Sequence, residues 1–122
     1  WGREGFRRTY ELIFWATKGQ RGLLLSPTDV LTFKRVARQE RRYGPEKPVE
    51  LLERLVECST MPGDFVLDPC CGAGSTLAAA RRLKRKALGI ELDAGAHALA
   101  VVAATRDEKP QTEESQPLEG IA

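Results

Sequence analysis

The chain has 122 residues, of which 42% are hydrophobic and 30% are charged, so it is not wholly disordered and suits one small domain or part of a larger one. We expect no transmembrane segment, because no apolar run approaches the roughly 20 residues that span a bilayer. We also expect no secretory leader, because no basic-then-apolar stretch opens the chain. The chain begins with Trp1 and its only methionine is Met61, which predicts a fragment that lacks an upstream part.

The net charge of +2 conceals an uneven distribution of charged residues. Residues 1–47 carry 11 lysines and arginines against five acidic residues, whereas residues 107–122 carry five acids and one lysine. A basic first third suits a surface that faces phosphates, but a solvated basic face with no nucleic-acid role explains the charge equally well. The polar, aperiodic end predicts a disordered acidic tail over residues 107–122.

The three cysteines are Cys58, Cys70 and Cys71, an odd number with two of them adjacent. This arrangement fits no disulfide framework, and together with the single His97 it gives no zinc-binding spacing. We therefore expect no structural metal, and a reduced, cytoplasmic setting.

The first third of the chain gives the weaker structural signals. Residues 9–16 are dense in aromatic and branched side chains, which predicts a half-buried strand. A loop with two glycines follows from Lys18 to Ser26. Residues 29–36 alternate in part and predict a short strand or an extended segment, and the basic run at 35–42 predicts a surface loop or a short helix.

The rest of the chain alternates helix and strand patterns around a glycine-rich turn at 68–74. Pro48 suits the start of a helix, because its missing N–H costs nothing there. In chain order we predict a helix from Pro48 to about Ser59, a strand at 65–67, a helix at 75–84, a strand at 87–90 and a helix at 94–105. This order is a βαβ unit and the start of another, hence an α/β fold.

Gly72 and Gly74 follow the first of these strands, where glycine lets the backbone approach a ligand at the N-terminus of the next helix. Glu91 comes 17 residues after Gly74, at the end of the second strand, where one carboxylate can accept from two ribose hydroxyls. The turn lacks the third glycine of the dinucleotide fingerprint, and the chain has no Gly-Lys-Ser/Thr. Asp68 beside the turn would repel a pyrophosphate but attract an ammonium. These features favour S-adenosylmethionine, with a capped, ligand-free loop as the alternative.

Three segments, in the same order, resemble the DNA amino-methyltransferases, which methylate the exocyclic nitrogen of adenine or cytosine. Glu46–Leu55 (EKPVELLERL) resembles the stretch before their cofactor half, Val66–Thr76 (VLDPCCGAGST) their cofactor loop, and Gly89–Asp93 (GIELD) their ribose-binding strand end. Thr9–Lys18 also looks like a late strand of their catalytic half. The resemblance implies a Rossmann-like, three-layer αβα methyltransferase fold that is only partly present, with S-adenosylmethionine as the cofactor.

The resemblance divides the chain into the end of the catalytic half with a basic DNA-facing segment (1–47), a cofactor-binding half (48–106) and the tail (107–122). In this permuted order the Asp-Pro-Pro-Tyr-like tetrapeptide that grips the flipped base would lie upstream of Trp1. No catalytic residue is therefore assigned, and we expect the fragment alone to be inactive. Cofactor contacts are implied for Lys47, Asp68, Pro69, Cys70, Gly72, Gly74 and Glu91. Contacts with double-stranded DNA are expected among Arg21, Lys34, Arg35, Arg38, Arg41 and Arg42.

Several side chains near the turn have a second interpretation. Cys70 stands where the family usually has an aromatic residue. Its pairing with a proline superficially matches the Pro-Cys nucleophile of cytosine-carbon methylation, and Cys71 invites the same interpretation, but both lie inside the cofactor turn, so we do not expect covalent catalysis. Asp93 is predicted to cap the last helix, and Ser75 or Thr76 the helix after the turn.

We therefore predict a fragment of a site-specific DNA methyltransferase, which transfers a methyl group from S-adenosylmethionine to the amino group of adenine or cytosine. A cognate restriction enzyme is a candidate partner. Two alternatives stay open: a methyltransferase that acts on RNA or a small molecule, and a non-catalytic module that binds the cofactor or DNA.

Overall fold

The computed structural model describes residues 10–20, 22–44 and 46–106. The predicted acidic tail lies outside these ranges. The elements in chain order are α1 (Val49–Ser59), β1 (Phe65–Asp68), α2 (Ser75–Arg82), β2 (Lys86–Gly89) and α3 (Ala94–Thr105). Within the described ranges, no helix combines the length and apolar character needed to cross a membrane.

Helix α1 begins directly after Pro48, which occupies the N-cap position. Its apolar side chains recur at helical spacing and are buried or half-buried, ending with Val56 and Cys58. A tight turn follows, in which the Met61 N–H donates to Asp64 Oδ2 over 2.9 Å. This turn returns the chain into β1.

Strands β1 and β2 pair in parallel, with Phe65 opposite Lys86 and Asp68 opposite Gly89. Backbone bonds extend the ladder past the carboxyl ends, since the Ile90 N–H donates to the Asp68 carbonyl over 2.9 Å. Parallel neighbours need a crossover, which α2 provides. The predicted βαβ unit is confirmed.

Helices α1 and α3 both pack against α2, whose buried residues are mostly alanine. Small side chains let helix axes approach closely, and Leu77 packs with Cys71 and Ala100 in the buried cluster. Arginines at the end of α2 tie the helices together: Arg82 Nη1 lies 3.2 Å from Glu53 Oε1 of α1. These contacts hold α2 between α1 and α3.

The opposite face of the sheet is apolar and exposed. Phe65, Leu67, Leu88 and Ile90 are each at least 51% exposed. The described residues thus supply a helix layer and a sheet layer of the expected three-layer fold, and no described element covers this second face.

The predicted strand at 9–16 is wrong for its described part, which has no strand pairing at residues 10–16. Tyr10, Leu12 and Phe14 are each at least 72% exposed. A strand requires backbone hydrogen bonds to a neighbour, and β1 and β2 pair only with each other, so the aromatic pattern alone could not form one here. Residues 29–36 form no strand and no helix. The basic run contains a turn in which the Glu40 N–H donates to the Ala37 carbonyl.

Candidate functional site

The site lies at the carboxyl ends of β1 and β2, where the loop after β1 folds over the end of β2. The Cys71 N–H donates to the Ile90 carbonyl over 3.0 Å, which holds the loop against β2. In parallel sheets, ligands bind outside the carboxyl ends of the strands, next to helix N-termini. The predicted glycine turn and the predicted ribose acid therefore meet at the expected place.

Glu91 closes the loop onto the second strand. Its Oε2 accepts from the Gly72 N–H at 2.9 Å, and its Oε1 accepts from the Asp93 N–H at 2.8 Å. Because a carboxylate offers about four acceptor positions, both oxygens keep a further lone pair for outside donors. Glu91 thus both fixes the loop and presents acceptors beside it.

The two glycines of the turn have different surroundings. Gly72 has φ +53°, and a Cβ built there meets nothing within 4 Å, so open space lies against its backbone. Gly74 has φ +87°, and a Cβ there would stand 2.7 Å from the Ala100 Cα and 3.0 Å from the Ala103 Cβ. Gly72 is therefore placed to line a ligand, whereas Gly74 lets α2 and α3 approach each other.

Asp68 ends β1 and shapes the first part of the turn. Its Oδ1 accepts from the Cys70 N–H over 3.1 Å. Asp68 is half-buried, whereas Cys70 is exposed. The turn thus presents a carboxylate and an exposed backbone stretch side by side.

Cys71 belongs to the core. It is only 8% exposed, and its Sγ would stand 2.7 Å from a Cβ at Gly89. Burial first, and then the negative charges of Asp68 and Glu91, raise the pKa of the Cys71 thiol. A buried thiol that resists ionisation is a poor nucleophile, in agreement with the expectation from the sequence.

Of the two predicted helix caps, one is confirmed. Asp93 Oδ1 accepts from the Ala96 N–H over 2.8 Å and caps α3. The cap predicted at Ser75 or Thr76 is wrong. Helix α2 already begins at Ser75, and Gly74 is the N-cap, with no side-chain hydrogen bond. The packing of Gly74 against α3 leaves this position no room for a capping side chain.

Lys47 forms an ion pair with a residue of the segment before α1. Its ammonium pairs with the Glu11 carboxylate. The hydrogen bond and charge of Lys47 lower the pKa of Glu11. The structure therefore brings Lys47 together with Glu11, not with the turn.

The six basic residues predicted to contact DNA fall into three groups. Arg21 lies outside the described residues. Two are engaged within the chain: Arg41 Nε donates to the Val36 carbonyl at 3.1 Å, and Arg42 binds Glu46 through its guanidinium at 2.8 Å. The remaining three, Lys34, Arg35 and Arg38, are exposed, and Lys34 also interacts within the chain.

Sequence reasoning assigned no role to Tyr43, which reaches the site from the segment before α1. Interaction with the Asp93 carboxylate first, and then burial and the charges of Asp93 and Glu91, raise the pKa of Tyr43. A tyrosine four residues before a Lys-Pro pair was the only available sign in the sequence, and its partner lies 50 residues later.

Comparisons with known proteins agree with this geometry. A family model described as DNA methylase, of the N6/N4 type, matches residues 2–102. The chain is similar to the type II methyltransferase M2.DpnII of Streptococcus pneumoniae (40% identical over 60 residues) and to the type II methyltransferase M.EcaI of Enterobacter cloacae (49% over 49 residues). These matches cover 49% and 40% of this chain but 22% and 11% of the relatives, so the chain spans less than a quarter of either relative.

One solved structure gives a match in fold. The crystal structure of an M1.HpyAVI–SAM complex is similar with a TM-score of 0.61 and 26% identity, over 73% of this chain and 47% of that chain. The described α/β unit is thus part of a methyltransferase fold. Because the family model matches more than half of the residues of this chain, the chain belongs to the N6/N4 DNA methylase family.

Proposed function

We propose that this chain is the cofactor-binding part of a DNA methyltransferase that transfers a methyl group from S-adenosylmethionine to the exocyclic amino group of adenine or cytosine. The observation that carries the proposal is the closure of the glycine turn by Glu91, whose Oε2 accepts from the Gly72 N–H over 2.9 Å. Family membership and the likeness to a solved structure of a SAM complex support it.

The residues present fit this cofactor. Open space against Gly72 admits a ligand to the backbone, and the remaining lone pairs of Glu91 suit a ribose diol. The Asp68 carboxylate suits the ammonium of an amino-acid moiety and disfavours a pyrophosphate. We assign the ribose to Glu91, the amino-acid end to Asp68, and backbone contacts to Pro69, Cys70 and Gly72.

When bound, S-adenosylmethionine supplies a methyl group activated by its sulfonium. The chain's own residues hold and orient this donor. Positioning of the donor lowers the barrier of a methyl transfer. Gly74 acts here through packing, and Lys47 takes part only if its ammonium leaves Glu11.

Calorimetry of S-adenosylmethionine binding to the folded chain tests the assignment. We expect Glu91→Ala to weaken binding by tenfold or more, because it removes two charge-assisted acceptors, each worth about 1.5–3 kcal/mol. Glu91→Gln should lose less, since it keeps one oxygen. Glu50→Ala, an exposed acid in the first turn of α1, is the matched control and should bind like the unchanged chain. If the folded chain does not bind, or Glu91→Ala binds normally, the proposal fails.

For the substrate, we propose duplex DNA held by the exposed basic residues of the segment before α1. Arg35 and Arg38 are exposed arginines of this segment, whereas Arg41 and Arg42 are engaged by oxygens of the chain itself. Counterions are released wherever such a side chain neutralises a phosphate. Log affinity therefore falls with log salt, and removal of one phosphate-binding residue should make this negative slope shallower by about 0.9.

Fluorescence anisotropy with duplex DNA over a range of salt tests it. We expect Arg35→Ala with Arg38→Ala to weaken binding and flatten the salt dependence. The control is Lys84→Ala with Lys86→Ala, which removes the same charge from the amino end of β2, opposite the site. Equal effects of both pairs would indicate non-specific charge attraction only, and stronger binding to RNA of the same sequence would favour an RNA substrate.

We further propose that the full protein works in the cytoplasm, beside a cognate restriction enzyme. The two relatives, both named as type II methyltransferases, support this partner. A nuclease that cuts the same site, and is blocked by methylation from the full protein, is the expected result. If every co-occurring nuclease still cuts the methylated DNA, the proposed restriction-enzyme partner is contradicted.

A further inference from the structure

A groove separates the end of α1 from residues 15–23. Its walls include the side chains of Trp15, Lys18, Leu23 and Ser59, and its volume is about 230 Å³. Sites for drug-sized ligands have about 300–1,000 Å³. This groove, which we call the basal groove, therefore suits a single ring system with a small substituent.

The basal groove lies at the end of the sheet opposite the glycine turn. Ser59 is the last residue of α1, and Arg85, directly before β2, donates through Nη2 to the carbonyl of Thr60 over 2.7 Å. The end of α1 is thus held against the amino end of the sheet, whereas Glu91 and the turn lie at the carboxyl ends. The groove is therefore separate from the site that we assign to the cofactor.

Hydrogen bonds hold both walls of the basal groove. The Leu24 N–H donates to the Cys58 carbonyl over 2.7 Å, which ties the first wall to the last turn of α1. On the second wall, Ser59 Oγ donates to the Leu55 carbonyl over 2.7 Å. A ligand would enter a groove that is already formed, which lowers the ordering cost of binding.

The basal groove combines an aromatic ring with a positive charge. Trp15 is 59% exposed. Lys18 is also exposed, and no hydrogen bond or ion pair joins its ammonium to another residue within the described ranges. No acidic residue of the described part of the chain lines the groove. An indole face stacks with nucleobases, and a lysine ammonium binds phosphate.

We propose that the basal groove is a second ligand site, which takes a nucleotide whose base stacks on Trp15 and whose phosphate pairs with Lys18. A free nucleotide and a nucleotide of a single strand both present these two groups. A base inside a duplex does not, because its neighbours in the stack cover its faces. This site goes beyond the proposed function, since it requires neither the cofactor nor Glu91.

Thymidine 5′-monophosphate is the probe for this site, because its base is not the adenine of the cofactor. Calorimetry on the folded chain should show binding that Trp15→Ala weakens roughly tenfold. Phe14→Ala removes the adjacent aromatic residue, which is 91% exposed and does not line the groove, so this matched control should bind normally. Glu91→Ala should also bind this probe normally.

Lys18→Ala separates the phosphate contact from the base contact. It should weaken binding of thymidine monophosphate several-fold and leave binding of thymidine, which has no phosphate, unchanged. Lys86→Ala, at an exposed lysine of β2 that does not line the groove, is the control. Equal weakening by both lysine variants overturns the assignment of the phosphate to Lys18.

A merely structural Trp15 would alter stability without contacting the base. Trp1→Phe leaves Trp15 as the only tryptophan, and thymidine monophosphate should quench its fluorescence in a saturable manner. Trp15→Phe keeps a ring and should weaken binding only a few-fold. If Trp15→Ala does not fold, Trp15→Phe and the quenching decide the matter.

A single-stranded oligothymidylate of about eight nucleotides, within the usual length of single-strand sites, distinguishes the two sources of the nucleotide. Binding at least tenfold tighter than that of the mononucleotide, with a gain that Trp15→Ala removes, assigns the groove to a strand. A smaller gain assigns it to a free nucleotide. Absence of binding of both ligands at millimolar concentration, absence of quenching, or normal binding by a folded Trp15→Ala overturns the proposal.

Discussion

Gly72 and Gly74 are two residues apart, yet each is a glycine for a different reason. Both have positive φ, which costs an ordinary L-residue about 1–2 kcal/mol. Only Gly74 also has backbone and methyl neighbours within 3.0 Å of an added Cβ. The motif spacing shows that two glycines are present, but it cannot show which of them faces a neighbouring helix.

The first prediction separates these two reasons. Gly74→Ala should lower the free energy of unfolding by roughly 2–5 kcal/mol, the sum of left-handed strain and overpacking against Ala100. Gly72→Ala is the matched control and should lose only about 1–2 kcal/mol. Urea unfolding of both variants measures the difference. Equal losses would show that α3 does not pack against the turn.

The second prediction concerns the three thiols. Cys70 is exposed, whereas Cys58 and Cys71 are buried, and burial raises the pKa of Cys71. A thiol reagent should therefore label one cysteine in the folded chain and all three in denaturant. In Cys70→Ser the fast label should disappear. Rapid labelling of a second site in the native chain would contradict the core position of Cys71.

At the scale of elements, α3 depends on a charged cap. The backbone N–H of Ala96, more than the Tyr43 hydroxyl, lowers the pKa of Asp93 below its ordinary value of 3.8. A carboxyl with a depressed pKa stabilises the folded state above its unfolded pKa, and this contribution is lost as the pH falls through the folded value.

The third prediction follows from this loss of stability at low pH. Asp93→Asn keeps a capping oxygen but has no charge to lose. The melting temperature of the unchanged chain should exceed that of Asp93→Asn near neutral pH, and the gap should close as the pH falls below about 3.8. A gap that stays constant across this range would show that the carboxylate charge does not stabilise α3.

The elements with strong local patterns are the ones that could be predicted from the sequence. Helix α1 and the βαβ unit follow from periodic apolar residues and from the turn between them, and Asp93 was identifiable as a cap by its position before an alanine-rich run. The strand expected at 9–16 is wrong because pairing depends on a neighbour that no local pattern specifies. For the same reason, the ion pair of Arg82 with Glu53 and the interaction of Tyr43 with Asp93 could not be predicted, because each joins residues far apart in the chain.

At the scale of the whole molecule, the described helices partly cover one face of the sheet, and the other face is exposed. Phe65, Leu67, Leu88 and Ile90 form a contiguous apolar surface across both strands. Surfaces of this kind attract other apolar groups. The folded chain should therefore behave as a molecule with a hydrophobic side.

The fourth prediction uses this surface. The folded chain should bind a hydrophobic dye such as anilinonaphthalene sulfonate, and Leu67→Gln with Leu88→Gln should lower the fluorescence by about half or more. Both side chains are already exposed, so the free energy of unfolding should change by less than about 1 kcal/mol. Val66→Gln, on the half-buried face, is the contrasting variant and should destabilise the chain. Dye binding that persists in the double variant would place the apolar surface elsewhere.

The close approach of Cys71 to Gly89 restricts how this chain can vary. A methyl at position 89 would stand 2.7 Å from the Cys71 sulfur and 2.9 Å from Leu77 Cδ1. The space between positions 71 and 89 therefore does not hold both the sulfur and a methyl group. Shrinking residue 71 to alanine would relieve the collision of that methyl with the sulfur but not the one with Leu77. Random libraries at these positions should consequently recover glycine at 89 almost invariably, and the rare exceptions should arrive as coordinated exchanges of two or three residues.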